Sequence, residues 1–168
     1  EIPLVNGIVD FFESKNIKIF GPNKKAAQLE GSKIFMKNLC SKFNIPTANF
    51  SEVKNLKEIE SFLNNSNFPI VVKSDGLASG KGVTICSNRE EVKRDVKKIF
   101  KGKFKSSKKV ILEEFLDGEE ASYFVLTDGM EYLPIGTAQD HKKIGEGDTG
   151  PNTGGMGAYS PSNLITTE

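Results

Sequence analysis

A glycine-rich turn between two apolar runs constrains the fold of this chain more than any other feature. Residues 69–73 (PIVVK) are apolar and β-branched, and residues 82–86 (GVTIC) alternate between apolar and polar positions. Both runs are typical of β-strands. The sequence therefore predicts a β-hairpin whose tip is Gly76–Gly82.

The composition of this tip is that of a phosphate-binding loop. Glycines without a Cβ let backbone N–H groups approach anionic oxygens, and Lys73 and Lys81 add mobile positive charge. A Walker A loop is excluded because Lys81 is followed by Gly82 rather than Ser or Thr, and because a strand follows instead of a helix. Taken alone, the segment could also be an ordinary solvated turn.

The composition limits the classes of protein to which the chain can belong. With 168 residues, 37% apolar and 27% charged, it has globular composition and is long enough for one domain or parts of two. The net charge of +1 argues against a nucleic-acid partner. The basic run Lys93–Lys109 is interpreted as a solvated helix face and loop.

Cysteine and histidine usage predicts no metal site. Cys40 and Cys86 lack metal-ligand spacing, and His141 is the single histidine, so we expect small apolar cysteines in a reducing cytoplasm. No apolar run reaches membrane-spanning length, and no signal segment is present at the start. Because the chain begins at Glu1 and stops at Glu168 after a loop, we expect a fragment.

Periodicity predicts the elements of the first half. We expect a helix over Leu4–Lys15, a short strand over Ile17–Phe20, and a helical stretch over Lys24–Asn44 that breaks near Gly31, with Ser32 as the cap of a new helix from Lys33. The later expected elements are an extended segment Asn49–Val53, a helix Leu56–Asn64, a helix Arg89–Phe100 capped by Ser87 or Asn88, and a strand Val110–Phe115.

The second half is predicted to be a hairpin followed by a loop. Ala121–Leu126 and Glu131–Ala138 are expected strands joined by a turn at Asp128-Gly129. Gly145–Gly157 is expected to be a long loop without secondary structure, which is usually functional or disordered. We favour function because Asn152 and Thr153 add polar groups among its glycines.

Two clusters besides the hairpin tip can recognise a small molecule. In Val110–Ser122 an apolar strand ends in carboxylates, so backbone groups can bind an adenine edge and a later carboxylate can accept ribose hydroxyls. An acidic surface turn is the alternative. In the second cluster Asp140, Lys142 and Lys143 offer charges that can orient a zwitterion or a phosphate, while His141 can be an ordinary surface residue.

Taken together, these segments resemble the ATP-grasp superfamily and, within it, the phosphoribosylamine–glycine ligase family, also called glycinamide ribonucleotide synthetases. The resemblance covers nearly the whole chain. It is carried by the hairpin tip and by residues 3–10 (PLVNGIVD), 18–22 (KIFGP), 26–37 (AAQLEGSKIFMK), 113–122 (EEFLDGEEAS), 139–143 (QDHKK) and 148–161 (DTGPNTGGMGAYSP).

The resemblance implies a mixed α/β and α+β fold. Residues 1–30 would be the end of a Rossmann-like N-terminal domain with its linker. Residues 31–168 would be the front part of an ATP-grasp domain, with a small lid lobe at about residues 48–120.

The resemblance also implies the site residues. Catalysis would fall to Lys73 and Lys81, with Lys33 and Lys73 as the two ATP lysines. Glu113 would accept from the adenine amino group, the backbone of Glu114, Phe115 and Leu116 would bind the ring edge, and Glu120, or else Glu119, would hold the ribose. The flap over the phosphates would include Gly76, Ser79, Gly80, Lys81 and Gly82, and the candidate substrate residues are Asp140, Lys142, Asp148, Asn152, Thr153, Gly154 and Gly155.

The implied reaction uses ATP and Mg²⁺ or Mn²⁺ to phosphorylate glycine, and the amine of 5-phosphoribosylamine then attacks to form the amide in purine biosynthesis. The metal ligands of the family, a glutamate on a strand and a glutamate-x-asparagine motif, would lie after Glu168. We therefore expect this chain to bind nucleotide weakly without turnover. We also expect a cytoplasmic monomer with no nucleic-acid or membrane partner.

Two alternatives remain open. The first is another ATP-grasp ligase, such as a carboxylase that uses bicarbonate, although the GPNTGGMG segment argues against it. The second is a non-catalytic nucleotide-binding module.

Overall fold

The computed structural model describes residues 1–77, 82–102, 109–147 and 149–165, with Pro151 and Asn152 described by their backbone alone. The chain divides into two compact units, Glu1–Leu116 and Asp117–Glu168, here called the first and second units. Each unit has its own sheet or sheets. Among the described residues, no helix is long and apolar enough to cross a membrane.

The first unit begins with two short helices, α1 (Ile2–Val5) and α2 (Ile8–Glu13). The single helix expected over Leu4–Lys15 is wrong, because Gly7 between them has a φ of 91°. This left-handed conformation is incompatible with a continuous right-handed helix, and glycine adopts it without steric cost.

The strand expected over Ile17–Phe20 is also wrong. These residues are irregular, and no described strand pairs with them. A β-strand is stabilised by hydrogen bonds to a neighbouring strand, so an apolar β-branched run without such a neighbour has no ladder to join.

The helical stretch that follows divides where the sequence predicts. Helix α3 (Gln28–Gly31) ends at Ser32, whose Oγ accepts a 3.1 Å hydrogen bond from the N–H of Phe35 and so caps α4 (Lys33–Phe43). Asn44 ends α4 in the left-handed conformation at a φ of 54°.

A four-stranded antiparallel sheet forms the centre of the first unit. Its strands are β1 (Phe50–Val53), β2 (Ile70–Ser74), β3 (Val83–Cys86) and β4 (Val110–Glu114), in the spatial order β1-β4-β2-β3. The predicted hairpin is confirmed, because β2 and β3 pair antiparallel and the N–H of Ser74 donates 2.8 Å to the carbonyl of Gly82.

Two helices cover one face of this sheet. They are α5 (Glu58–Asn64) and α6 (Arg89–Phe100). The bounds of α6 are as predicted, and Asn88, one of the two predicted candidates, is its cap. The hydrophobic core lies between these helices and the sheet. Its residues are Val53, Ile59, Leu63, Ile70, Val72, Cys86, Val92, Val96, Ile99, Val110 and Leu112.

Side chains alternate along a strand, so Val71, Lys73, Ile111 and Glu113 point to the opposite side of the sheet from this core. Lys37 of helix α4 contacts Glu113 on that side of the sheet. We call this side of the sheet the α4 face. Lys73 of β2 and Glu113 of β4, both predicted to bind ATP, therefore share one face.

The second unit is built from short antiparallel pairs. Strands β5 (Ser122–Thr127) and β6 (Tyr132–Asp140) form the predicted hairpin with its turn at Asp128-Gly129, and β9 (Ala158–Tyr159) pairs with the end of β6. In the turn, Oδ1 of Asp128 accepts 2.9 Å hydrogen bonds from the N–H groups of Met130 and Glu131.

The expectation of a loop without secondary structure over Gly145–Gly157 is wrong. Strand β7 (Lys143–Gly145) pairs antiparallel with β8 (Thr149–Asn152). The pairing depends on Gly145, because a Cβ at this position would collide with Thr149. Glycine is thus used here for close packing of two strands, which the sequence pattern does not distinguish from flexibility.

Candidate nucleotide-binding site

A buried carboxylate between two lysines is the main polar feature of the α4 face. Glu113, near the end of β4, is 3% exposed. Its Oε2 accepts a 2.6 Å hydrogen bond from Nζ of Lys73, and its Oε1 lies 3.4 Å from Nζ of Lys37. The pairing of β2 with β4 and the position of α4 together place these three charges in one cluster.

Lys37 is held from several sides. It is 2% exposed, and its ammonium donates to Oγ1 of Thr47 at 2.7 Å and to the carbonyl of Ala48 at 3.2 Å. It also lies 5.5 Å from the centre of the Phe50 ring. A buried ammonium needs such partners because desolvation is costly, and together they fix the position of Lys37.

One oxygen of Glu113 is left for a further partner. Oε1 is buried and accepts no hydrogen bond from the residues that the structure describes. Its charged partner is the ammonium of Lys37 at 3.4 Å, an ion-pair contact that leaves Oε1 without a hydrogen bond. Oε1 therefore has the capacity to accept a hydrogen bond from a ligand donor, such as an exocyclic amine, once the site opens to admit it.

A second carboxylate joins the hairpin to α4. Asp75, directly after β2, accepts 3.1 Å hydrogen bonds at Oδ1 from the N–H of Ile34 and from Oγ of Ser32. It therefore occupies the N-terminal end of α4, where a negative charge is favourable. The start of the hairpin tip is thereby attached to the helix that carries Lys33 and Lys37.

Lys33 is the third lysine of this region. Its ammonium donates a 2.9 Å hydrogen bond to the carbonyl of Gly76, the first residue of the predicted flap. Lys33 and Lys37 are four residues apart and lie on the same side of α4. Lysines 33, 37 and 73 thus outnumber the carboxylates of Asp75 and Glu113, which favours an anionic ligand.

The segment predicted to bind the adenine edge follows β4. The N–H of Glu114 already donates 2.9 Å to the carbonyl of Asn49. Its carboxylate accepts from the N–H and side-chain amide of Asn49, and these bonds, the backbone one foremost, hold the pKa of Glu114 below its usual value. Phe115 and Leu116 are exposed and irregular.

A cavity of about 520 Å³ also reaches this segment, but from the other side of the sheet. It is lined by Glu114 and Phe115 together with residues of β1 and of the region around α5, including Ser51 and Phe62. Glu113 and Lys73 point away from it, to the α4 face. We therefore place the candidate nucleotide site on the α4 face rather than in this cavity.

The second unit brings another set of predicted residues together. The ammonium of Lys142 forms a close ion pair with Glu120 and lies 3.9 Å from Oδ1 of Asp140. The hydrogen bond to Glu120 raises the pKa of Lys142 above its usual value. The predicted ribose carboxylate and two predicted substrate residues are therefore neighbours.

The glycine-rich segment folds back onto this set. The carbonyl of Lys142 accepts from the N–H of Thr153 at 2.7 Å and from its Oγ1 at 3.0 Å. Oγ1 of Thr153 in turn accepts a 3.0 Å hydrogen bond from the N–H of Gly155. The N–H of Met156 donates a hydrogen bond to the carbonyl of His141. Thr153 and the neighbouring Gly154 and Gly155 thus lie beside Lys142.

Other predicted residues are not placed. Four of them lie outside the described residues: Ser79, Gly80, Lys81 and Asp148. For Asn152, which lies in β8, only the backbone is described. In the described part of the chain, no three His, Cys, Asp or Glu side chains are grouped to hold a metal ion. The expectation that metal ligands lie after Glu168 remains a prediction.

Sequence reasoning missed Lys37 and Asp75. Lys37 stands between Ile34 and Cys40 on the buried side of α4, and a lysine in such a stripe signals a buried charge that needs a partner. Asp75 follows a buried strand directly, as functional carboxylates often do, but its partner lies 41 residues earlier in the chain. That pairing depends on the tertiary structure.

Comparison with known proteins bears on the whole chain. Residues 31–168 match the profile of the phosphoribosylglycinamide synthetase ATP-grasp (A) domain, and residues 1–30 match the profile of the N domain of the same synthetases. The phosphoribosylamine–glycine ligase of Mesorhizobium japonicum is 51% identical over 100% of this chain. The chain spans 40% of that relative's length.

Solved structures agree in fold. The phosphoribosylamine–glycine ligase of Thermotoga maritima superposes with a TM-score of 0.78 at 37% identity, over 87% of this chain and 38% of that one. The D-alanine–D-alanine ligase of Helicobacter pylori gives a TM-score of 0.63 at 22% identity, over 84% of this chain and 45% of that one. The resemblance and the fold class expected from the sequence are confirmed.

Proposed function

Because the chain belongs to the phosphoribosylglycinamide synthetase family and its relatives are named phosphoribosylamine–glycine ligases, we propose that the protein ligates glycine to 5-phosphoribosylamine with ATP. The products would be glycinamide ribonucleotide, ADP and phosphate, in de novo purine biosynthesis. The observation that carries the nucleotide part is the buried Oε1 of Glu113, which faces Nζ of Lys37 at 3.4 Å and accepts no hydrogen bond from the described residues.

The predicted nucleotide-binding residues have the following roles in this proposal. Oε1 of Glu113 accepts from the adenine amino group, and the backbone after Glu114 binds the ring edge. Lys33 and Lys73 move from Gly76 and Glu113 to the phosphates, where each ammonium makes a charge-assisted contact with an anionic oxygen. The flap Gly76–Gly82, with Ser79, Gly80 and Lys81, closes over the β- and γ-phosphates.

The chemistry is phosphoryl transfer followed by amide formation. A carboxylate oxygen of glycine attacks the γ-phosphorus, ADP leaves, and glycyl phosphate results. The amine of 5-phosphoribosylamine then attacks the acyl carbon, and phosphate leaves with the former carboxylate oxygen. Positioning and charge neutralisation dominate such transfers, which is the contribution of Lys73 and Lys81.

The reaction class calls for Mg²⁺ or Mn²⁺, which would neutralise the charge of the phosphates. The described carboxylates do not form a metal site, since Glu113 and Asp75 are already engaged with lysines and with the N-terminus of α4. We propose that the metal ligands lie outside the described residues, and we assign no step to them.

The second unit is proposed to bind substrate and ribose. Glu120 holds the ribose hydroxyls, while Asp140, Lys142, Asp148, Asn152, Thr153, Gly154 and Gly155 contact glycine or phosphoribosylamine. The close pairing of Glu120 with Lys142 supports a shared polar surface. We also propose a cytoplasmic monomer, with residues 1–30 as the end of the N-terminal domain and residues 31–168 in the ATP-grasp domain.

An isotope experiment on the full-length protein that contains this sequence tests the function. Glycine labelled with ¹⁸O in its carboxylate is supplied with ATP, Mg²⁺ and phosphoribosylamine formed from ammonia and ribose 5-phosphate. We expect ADP formation that requires glycine and transfers one ¹⁸O to inorganic phosphate. At subsaturating ATP, Lys73→Ala should slow the transfer strongly, whereas Lys42→Ala, which changes an exposed lysine on the same helix as Lys37, should retain it.

Two results would contradict the proposal. Turnover with bicarbonate in place of glycine would make the protein another ATP-grasp ligase. Binding of ATP without any glycine-dependent ADP would favour a non-catalytic nucleotide-binding module.

A further inference from the structure

The two lysines beside Glu113 differ in how firmly they are held. Lys37 is 2% exposed and donates to Thr47 and Ala48 as well as facing Glu113. The side chain of Lys73 is 26% exposed, and the one hydrogen-bond partner that the described residues give its ammonium is Glu113. Lys37 is therefore fixed, whereas Lys73 is held by one contact and is open to solvent.

This difference has a consequence for nucleotide binding. When Lys73 turns to a phosphate, Oε2 of Glu113 loses its hydrogen bond. A buried carboxylate without a counter-ion is strongly destabilised. The charge of Lys37, which remains 3.4 Å from Oε1, offsets this loss.

We propose that Lys37 is a positioning residue, a fixed counter-ion that keeps Glu113 charged and in place while Lys73 leaves it for the phosphates of the nucleotide. The inference rests on the proposed function and adds to it a residue that contacts neither the nucleotide nor the reacting atoms. It also explains why a lysine occupies a buried position on α4.

The test compares ligands with and without phosphates. Adenosine requires Glu113 but does not require Lys73 to move, whereas ATP requires both. In Lys37→Met, Lys73 is the only counter-ion left to Glu113 in the cluster and stays with it. We expect the dissociation constant of ATP with Mg²⁺, measured by calorimetry on the full-length protein, to rise about tenfold or more, and that of adenosine to change by less than about threefold.

A second substitution separates this role from packing. In Lys37→Met combined with Glu113→Gln, the buried carboxylate is gone and Lys73 is free again, while the amide oxygen still accepts from adenine. We expect the preference for ATP over adenosine to return toward the wild-type value. Lys42→Met, the same change at an exposed position of α4, is the matched control. If Lys37→Met does not fold, Lys37→Gln, which can still hydrogen bond to Thr47 and Ala48, takes its place.

The outcomes distinguish the two proposals. A wild-type protein that binds neither ligand overturns the proposed function and this inference with it. The role of Lys37 alone is overturned if the wild type prefers ATP but Lys37→Met lowers the affinities for ATP and adenosine equally. It is also overturned if the double variant does not restore the preference for ATP.

Discussion

The carboxylate of Asp75 accepts a 3.1 Å hydrogen bond from the backbone N–H of Ile34, across 41 positions of sequence. Asp75 begins the connection between β2 and β3, and Ile34 lies in the first turn of α4. The contact therefore joins the base of the predicted phosphate flap to the helix that carries two of the three site lysines.

Replacing Asp75 should destabilise the first unit. Asp75→Ala removes the acceptor for Ile34 and Ser32, and loss of a helix cap of this kind costs about 1–2 kcal/mol. Asp75→Asn keeps one acceptor oxygen and should cost less. Urea unfolding measures both, with Asp117→Ala at an exposed position as the control. Equal stability of Asp75→Ala and the wild type would mean that the contact does not support α4.

Lys73 should be needed for the phosphates rather than for folding. Lys73→Ala in the full-length protein removes a charge-assisted contact of about 1.5–3 kcal/mol, so the KM for ATP should rise about tenfold or more. The thermal midpoint should fall only modestly, because Lys37 still faces Glu113. An unchanged KM would remove Lys73 from the site.

Glu113 should determine the choice of base. Inosine triphosphate carries an oxygen where ATP carries the amino group, so it offers the buried Oε1 an acceptor instead of a donor. The wild type should have a higher kcat/KM with ATP than with inosine triphosphate. Glu113→Gln should lower this ratio because the amide can turn its NH₂ group to the oxygen of the base. A preference that survives the substitution unchanged would place the adenine elsewhere.

The sequence predicts those parts of the fold that local chemistry determines. The β2–β3 hairpin, the Ser32 and Asn88 caps and the Asp128-Gly129 turn follow from neighbouring residues, and all appear in the structure. Pairing over long distances is different. Residues 17–20 have strand composition but no partner strand among the described residues, and β7–β8 pairs within a segment whose glycines resemble a flexible loop.

The candidate site divides in the same way. Lys73 and Glu113 are recognisable because each follows or ends an apolar strand in a family-like segment. Lys37 and Asp75 acquire their partners only when α4 is placed against the sheet, so their neighbours are 76 and 41 positions away in sequence. In the sequence, a buried charge can be recognised only as a lysine within an apolar stripe. The residue that pairs with this lysine cannot be recognised from the sequence.

The flap should be protected by nucleotide. Trypsin can cut after Lys81, the one lysine within Gly76–Gly82. We expect cleavage there without ligand and protection by ATP with Mg²⁺, because bound phosphates would cover Lys81. Cleavage after Lys18, an exposed residue in an irregular segment of the first unit, serves as the internal reference. Equal rates with and without nucleotide would count against a phosphate flap.

The hairpin turn of the second unit should show a defined pH dependence. Hydrogen bonds from the N–H groups of Glu131 and then Met130 hold the pKa of Asp128 below its usual value of 3.8. A carboxylate whose pKa is lowered on folding contributes stability that is fully present above the unfolded value and is lost as the pH falls through the folded value. Asp128→Asn keeps an acceptor oxygen but removes the charge, so it should be less stable than the wild type at pH 7, and the difference should shrink as the pH falls below 3.8.

Asp128→Ala provides the comparison for this turn. It removes the acceptor itself, which a protonated carboxyl group still provides, so its loss of stability should persist at the acid end. Thermal unfolding of the three proteins between neutral and acid pH measures both effects. A deficit of Asp128→Asn that stays constant over this range would show that the charge of Asp128 contributes nothing to the turn.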